Sequence, residues 1–144
     1  MKSRQYQIGR AFLGRLPYRS DLLESIGTFC TEKGLQAAFV SAIGAVERAT
    51  VGFYNQREQK YERVSFDEPL ELVTLSGNLS TKDGKPFVHA HVVLSRGTGE
   101  TVAGHLMSPT TVFAGEAFVV ELCGEPLARE LDEQTGLALW AALK

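Results

Sequence analysis

The chain has 144 residues, 44% hydrophobic and 22% charged, with a formal net charge of −2, which is the profile of one ordinary globular domain spanning residues 1–144. No apolar run approaches the ~18 residues of a membrane-crossing helix, and the opening MKSRQYQIGR lacks the apolar centre of a secretory signal. Two cysteines, Cys30 and Cys123, make no disulfide framework and are expected as reduced, buried thiols of a cytoplasmic protein.

The charge is unevenly spread. Residues 1–20 carry Lys2, Arg4, Arg10, Arg15 and Arg19 with no acid, whereas residues 21–144 carry ten bases against seventeen acids. A dedicated nucleic-acid binder is strongly basic, so these five bases are expected to form a solvated edge or a subunit contact. Residues 5–13 (QYQIGRAFL) alternate as a first strand, with Tyr6, Ile8 and Phe12 on one face, and Pro17 ends it. Ser20 is the expected N-cap of a helix over 20–33, with Asp21 and Glu24 in its positive first turn. Leu22, Ile26, Phe29 and Cys30 recur at helical spacing, and Gly34 is a natural stop. Gly27 costs of order 1 kcal/mol inside a helix, which predicts a close packing partner there.

From residue 36 the pattern turns to β. The run LQAAFVSAIGAVERATVGFYN is nearly continuously apolar, and Gly44 predicts a bulge or bend within it. Further strands are expected at 61–66, 69–79, 86–95, 100–107 and 110–122. Gly77-Asn78 and Asp83-Gly84 are turn-forming pairs, which places a loop over 81–85. After Pro126 the chain is acidic and then apolar (LALWAAL), a final strand or short helix. One early helix followed by many strands predicts an α+β fold with a largely antiparallel sheet.

All three histidines, His89, His91 and His105, lie in the segment VHAHVVLSRGTGETVAGHLM. Residues two apart on a strand share a face. Val88, Ala90, Val92 and Leu94 therefore form an apolar side, and His89 and His91 the other. A three-residue loop of Gly97, Thr98 and Gly99 pairs Arg96 with Glu100 and sets His91 opposite His105. The same register sends Val102, Gly104 and Leu106 to the apolar side. A two-residue loop would put His105 on the wrong face and spoil the apolar match. Gly104 is expected to leave room beside Val92 for close packing or a ligand.

Directly opposed residues bring Cβ atoms to about 5 Å, so three imidazoles can converge on one metal at bonds of about 2 Å. Zinc is the expected ion, since it commonly takes three neutral histidines with one open position; copper, nickel and iron also accept imidazole. Such an open position suits water, whose pKa zinc lowers to about 7, or a small anionic ligand. Glu116, a lone acid among Phe113, Ala114, Ala117 and Phe118, is a candidate further ligand or acid; Glu121 and a neighbouring subunit are alternatives. A cupin site would require glutamate shortly after the HxH pair, where Ser95 and Arg96 stand instead. Carbonic anhydrases share the HxH strand and little else.

The segments LSGNLSTKDGKPFVHAHVVLS and GHLMSPTTVFAGEAFVVEL resemble the prokaryotic branch of the plant-and-prokaryote-conserved (PPC) domain, also described as PD1-like predicted DNA-binding proteins. The resemblance extends to about residue 123. It implies a compact α+β domain, a homotrimer, and a metal site at His89, His91 and His105. It also implies a fold similar to that of α-acetolactate decarboxylase, a zinc enzyme with a three-histidine site. The Arg-Gly-Arg-Pro core that plant members use on DNA is missing from this sequence. The expectation is therefore a zinc-binding homotrimer taking a small anionic ligand. The alternatives are a metal-dependent lyase or hydrolase acting on a small oxo-acid, and a DNA-binding regulatory protein. LALWAAL is the apolar segment expected to be covered on assembly.

Overall fold

Side-chain alternation along the chain builds eight strands around one helix, as seen in the computed structural model, which describes residues 1–143. In chain order these are β1 (Gln7–Arg15), α1 (Leu22–Glu32), β2 (Ala38–Asn55), β3 (Lys60–Phe66), β4 (Leu70–Lys82), β5 (Lys85–Ser95), β6 (Thr101–Cys123), β7 (Ala128–Asp132) and β8 (Leu137–Trp140). A 3₁₀ turn, Ala141–Leu143, follows. Every pairing is antiparallel except that of β4 with β7. The fold class is thus the expected α+β with one N-terminal helix.

The sheet closes on itself. β2 pairs with both β4 and β6, β6 with β5, and β5 with β4, so four strands ring a common interior. Val40, Val46, Leu75, Leu94, Leu106, Val112 and Val119 fill that interior, all at most 2% exposed. The helix covers β5 and β6 with Leu22, Ile26 and Cys30. Burial pushes the Cys30 thiol up to about 11, so it stays protonated. Among the described residues no helix is long and apolar enough to cross a membrane.

β2 runs unbroken through Gly44, where the β4 register shifts, so the expected bulge is present. Gly44 has φ 144°, and a Cβ there would lie 2.2 Å from the Ala114 carbonyl oxygen. Only glycine tolerates both.

Several expectations are corrected. The helix N-cap is Asp21, not Ser20: Asp21 Oδ1 accepts from the Glu24 amide at 2.9 Å, whereas the Ser20 hydroxyl donates to the Pro17 carbonyl at 2.7 Å. Gly27 has no close packing partner, for nothing lies within 4 Å of an added Cβ. The β1 face is interrupted by a register shift between Ile8 and Ala11, which leaves Ile8 exposed while Phe12 packs edge-on against Phe29. Gly77 and Asn78 are mid-strand in β4 rather than a turn; the turn is Asp83-Gly84 alone, both at positive φ, with Lys82 paired to Lys85. Cys123, at the sheet end opposite Gln7, is exposed rather than buried.

The strands expected at 100–107 and 110–122 are one strand, β6. Pro109 has no N–H to give the ladder, and the β2 register shifts around it. Thr110 repairs the gap by accepting the Thr50 amide on its hydroxyl at 3.0 Å, while the Thr50 hydroxyl donates to the Pro109 carbonyl at 2.9 Å. Asp21 reaches the same spot, accepting from the Ser108 hydroxyl at 2.8 Å and the Thr110 amide at 2.7 Å. One carboxylate therefore caps the helix and moors it to β6.

Asp21→Ala is accordingly expected to destabilise the fold by about 2 kcal/mol, the sum of a lost cap and orphaned donors on β6. Asp21→Asn, which keeps the capping oxygen, should recover part of the loss. Urea unfolding measures both, and a cost below about 0.5 kcal/mol for alanine would contradict the dual role.

Candidate metal centre

The β5–β6 hairpin has the register its residues predict. The Arg96 amide donates to the Glu100 carbonyl at 2.8 Å, and the Gly99 amide to the Arg96 carbonyl at 2.9 Å, which closes a three-residue loop with Gly99 at φ 85°. His91 pairs with His105, Val92 with Gly104 and Leu94 with Val102. Ala90, Val92, Leu94 and Leu106 are buried on the inner face, and the three imidazoles stand on the outer one.

They converge there. Ring centroids lie 5.3 Å apart for His89 and His91, 4.9 Å for His89 and His105, and 5.4 Å for His91 and His105. One ring nitrogen from each falls within 4.8 Å of the other two. Nitrogens around a tetrahedral zinc stand about 3.4 Å apart, so modest rotation of the rings brings all three onto one ion. His105 Nδ1 is buried with no hydrogen-bond partner, a cost that a metal bond would remove. Burial, the Arg129 charge and the neighbouring imidazoles together push His89 down to about 4. Burial, His91 and Arg129 do the same to His105. Both rings are therefore neutral at pH 7, the form a metal requires.

The outer candidates lie elsewhere. Glu116 is exposed, paired across the sheet with Arg15 and Ile43, and sits eleven residues along β6 from His105, on the order of 30 Å at the usual strand rise. Glu121 is committed to Arg10, accepting from its Nε at 2.7 Å, its Nη2 at 2.8 Å and its backbone amide at 3.1 Å. Those bonds hold Glu121 down to about 2. In this chain neither acid joins the histidine group. Gly104 is a packing glycine: a Cβ there would lie 3.0 Å from both the Gly52 carbonyl oxygen and Val51 Cβ.

The surroundings of the cluster come from segments that carried no sequence signal. Gly52 pairs with His105, and a Cβ there would meet Tyr61 at 2.9 Å; its absence lets the Tyr61 ring sit 4.9 Å from that of His105. From β7 comes Arg129, 7% exposed, with Nη2 3.4 Å from His89 Nδ1. Its guanidinium donates to the Ser80 hydroxyl at 2.8 Å, the Ala138 carbonyl at 3.0 Å and Asn78 Oδ1 at 3.0 Å. The β7–β8 hairpin that carries it is tied down at both ends. At one end the Thr81 amide donates to Leu127; at the other, the Tyr54 hydroxyl donates to the Thr135 carbonyl at 2.7 Å. LALWAAL is β8 with its following 3₁₀ turn, half-buried against β7.

Known proteins share this fold. The model of the Plants and Prokaryotes Conserved (PCC) domain matches residues 3–123. A metal-containing protein from Archaeoglobus fulgidus is similar at 50% identity, over 97% of this chain and 99% of that chain, with a TM-score of 0.93. A plant- and prokaryote-conserved protein from Pyrococcus horikoshii is similar at 38% identity, over 100% of this chain and 99% of that chain, also with a TM-score of 0.93. No curated protein matches the chain.

In metal-free protein, NMR titration should find the His89 and His105 rings neutral at pH 5.5. The unfolded chain takes up protons near 6.5 while these rings resist until about 4. Their contribution to stability is therefore complete above about pH 6.5 and declines as pH falls towards 4. Normal titration of both rings near 6.5 would contradict the buried, mutually repelling arrangement.

Proposed function

Because the chain belongs to the Plants and Prokaryotes Conserved domain family, we propose that it is a metal-binding protein whose centre is His89, His91 and His105, with zinc as the ion. The observation that carries this reading is the convergence of three ring nitrogens, one from each histidine, within 4.8 Å of one another. Three neutral ligands leave the ion its full charge and a vacant position. When bound, the metal supplies a Lewis acid that polarises an oxygen ligand. The chain's own residues hold the ion and keep the His89 and His105 rings unprotonated. The metal-containing relative from Archaeoglobus fulgidus supports the reading.

We further propose that the protein is a cytoplasmic homotrimer. Leu13, Phe39, Ile43, Phe113 and Phe118 are exposed, and Leu13 pairs directly with Phe118, a clustering of apolar surface that favours burial against another copy. Two unbridged cysteines suit a reducing compartment. A DNA-binding role for the basic N-terminus is disfavoured, since Arg4, Arg10 and Arg19 each face a carboxylate, Glu125, Glu121 and Glu47.

Protein prepared without chelator should carry about one divalent ion per chain, released as pH falls below the histidine range. His91→Ala should lose most of that metal and keep its circular dichroism, because the hydrophobic core rests on the opposite face of the hairpin. Unchanged metal content would refute the shared site, and an unfolded variant would make the metal structural. Light scattering should give about three times the 15.8 kDa chain mass; a monomer at all concentrations would remove the trimer.

A further inference from the structure

Among the described residues, the most buried arginine has no acid within ion-pair distance. Arg4, Arg10, Arg19, Arg48 and Arg96 all form ion pairs, with side chains 25–67% exposed. Arg129 is 7% exposed, and its three short hydrogen bonds go to neutral oxygens of Ser80, Ala138 and Asn78. Among the described residues no carboxylate lies within ion-pair distance of it, and none belongs to the adjacent histidine group. Guanidinium does not escape this by losing its proton. Its guanidinium carbon lies 5.5 Å from the centre of the Phe87 ring and 5.2 Å from that of the Trp140 ring. Beside it, the Trp140 indole N–H is buried without an acceptor among the described residues.

A charge held rigidly and left unanswered is costly in an ordinary interior. A dipositive ion on three neutral imidazoles raises the local charge to +3, still with no negative group among the described residues. The missing component is an anion. We propose that Arg129 is the recognition residue for a small carboxylate ligand of the centre, one oxygen directed to the metal and the other to the guanidinium fork. This rests on the metal reading above. A carboxylate carries two oxygens on one flat group, one for each cation, and arginine is a favoured donor to it; the neighbouring Phe87 and Trp140 rings restrict the guanidinium. The tied-down β7–β8 hairpin limits the ligand to a small body. Arg129 lies outside residues 3–123, which carry the family match.

The test uses the full chain loaded with cobalt(II), whose visible spectrum reports the open position. Acetate should change the spectrum of the wild type, and acetamide, its neutral isostere, should not. Arg129→Gln should keep its cobalt and lose about tenfold or more in acetate affinity, while affinity for imidazole, a neutral metal ligand, stays within about twofold. Arg129→Lys, which retains charge without the fork, should recover part of the acetate affinity. Equal response to acetate and acetamide, unaltered acetate affinity in Arg129→Gln, or equal losses for acetate and imidazole would each overturn the proposal. So would loss of cobalt from both variants, which would make Arg129 a support for His89 only. Tighter binding of inorganic phosphate than acetate would overturn the carboxylate class. A wild type that takes cobalt but not acetate defeats this inference alone; one that takes no cobalt defeats the metal reading as well.

Discussion

The pairing of His91 with His105 across a three-residue loop is the constraint on which the rest depends. Strand side chains alternate, so one register decides both faces of the hairpin at once. On the inner face it sends Ala90, Val92, Leu94 and Leu106 into the closed sheet, and on the outer face it gathers the three imidazoles. A slip by one residue would exchange the faces. It would expose apolar side chains each worth roughly 1.5–3 kcal/mol on burial and press imidazoles into the core. The apolar face therefore enforces the geometry of the polar one, without the histidines contributing to the driving force.

Around this hairpin the chain separates scaffold from chemistry. β2, β4 and the lower half of β6 complete the ring and hold its contents, with Gly44 permitting the close approach to Ala114. β3 and the β7–β8 hairpin flank the outer face and bring aromatic rings and one buried cation to the imidazoles. The local electrostatics are consistently positive: burial and Arg129 act together to keep His89 neutral. Neutral imidazole, an adjacent guanidinium and no acid among the described residues favour a metal accompanied by an anion over a bare cation site.

How much of this was legible in the sequence follows from how local each signal was. The histidine register was readable because hydrophobic alternation and loop length agreed within twenty residues. The Gly44 bulge and the amphipathic helix were readable for the same reason. Where competing local chemistry was available, the reading chose wrongly: Ser20 and Asp21 both suit an N-cap, and only the contacts of Asp21 with Ser108 and Thr110 decide between them. Gly77-Asn78 carries turn chemistry, yet tertiary pairing overrides it, and Asn78 instead accepts from Arg129. Gly27 inside a helix signals a close packing partner, yet none lies within 4 Å of an added Cβ. Arg129 was invisible because it reaches His89 from forty residues away, within an acidic stretch where an arginine suggests only a solvated surface.

The central claim is that one metal is held by these three imidazoles, and X-ray absorption at the metal edge tests it most directly. The account predicts a first shell of nitrogen and oxygen at about 2.0–2.1 Å, with the outer-shell scattering of three imidazole rings. A sulfur scatterer at about 2.3 Å, which the exposed Cys123 would supply, or fewer than three imidazoles, would contradict it.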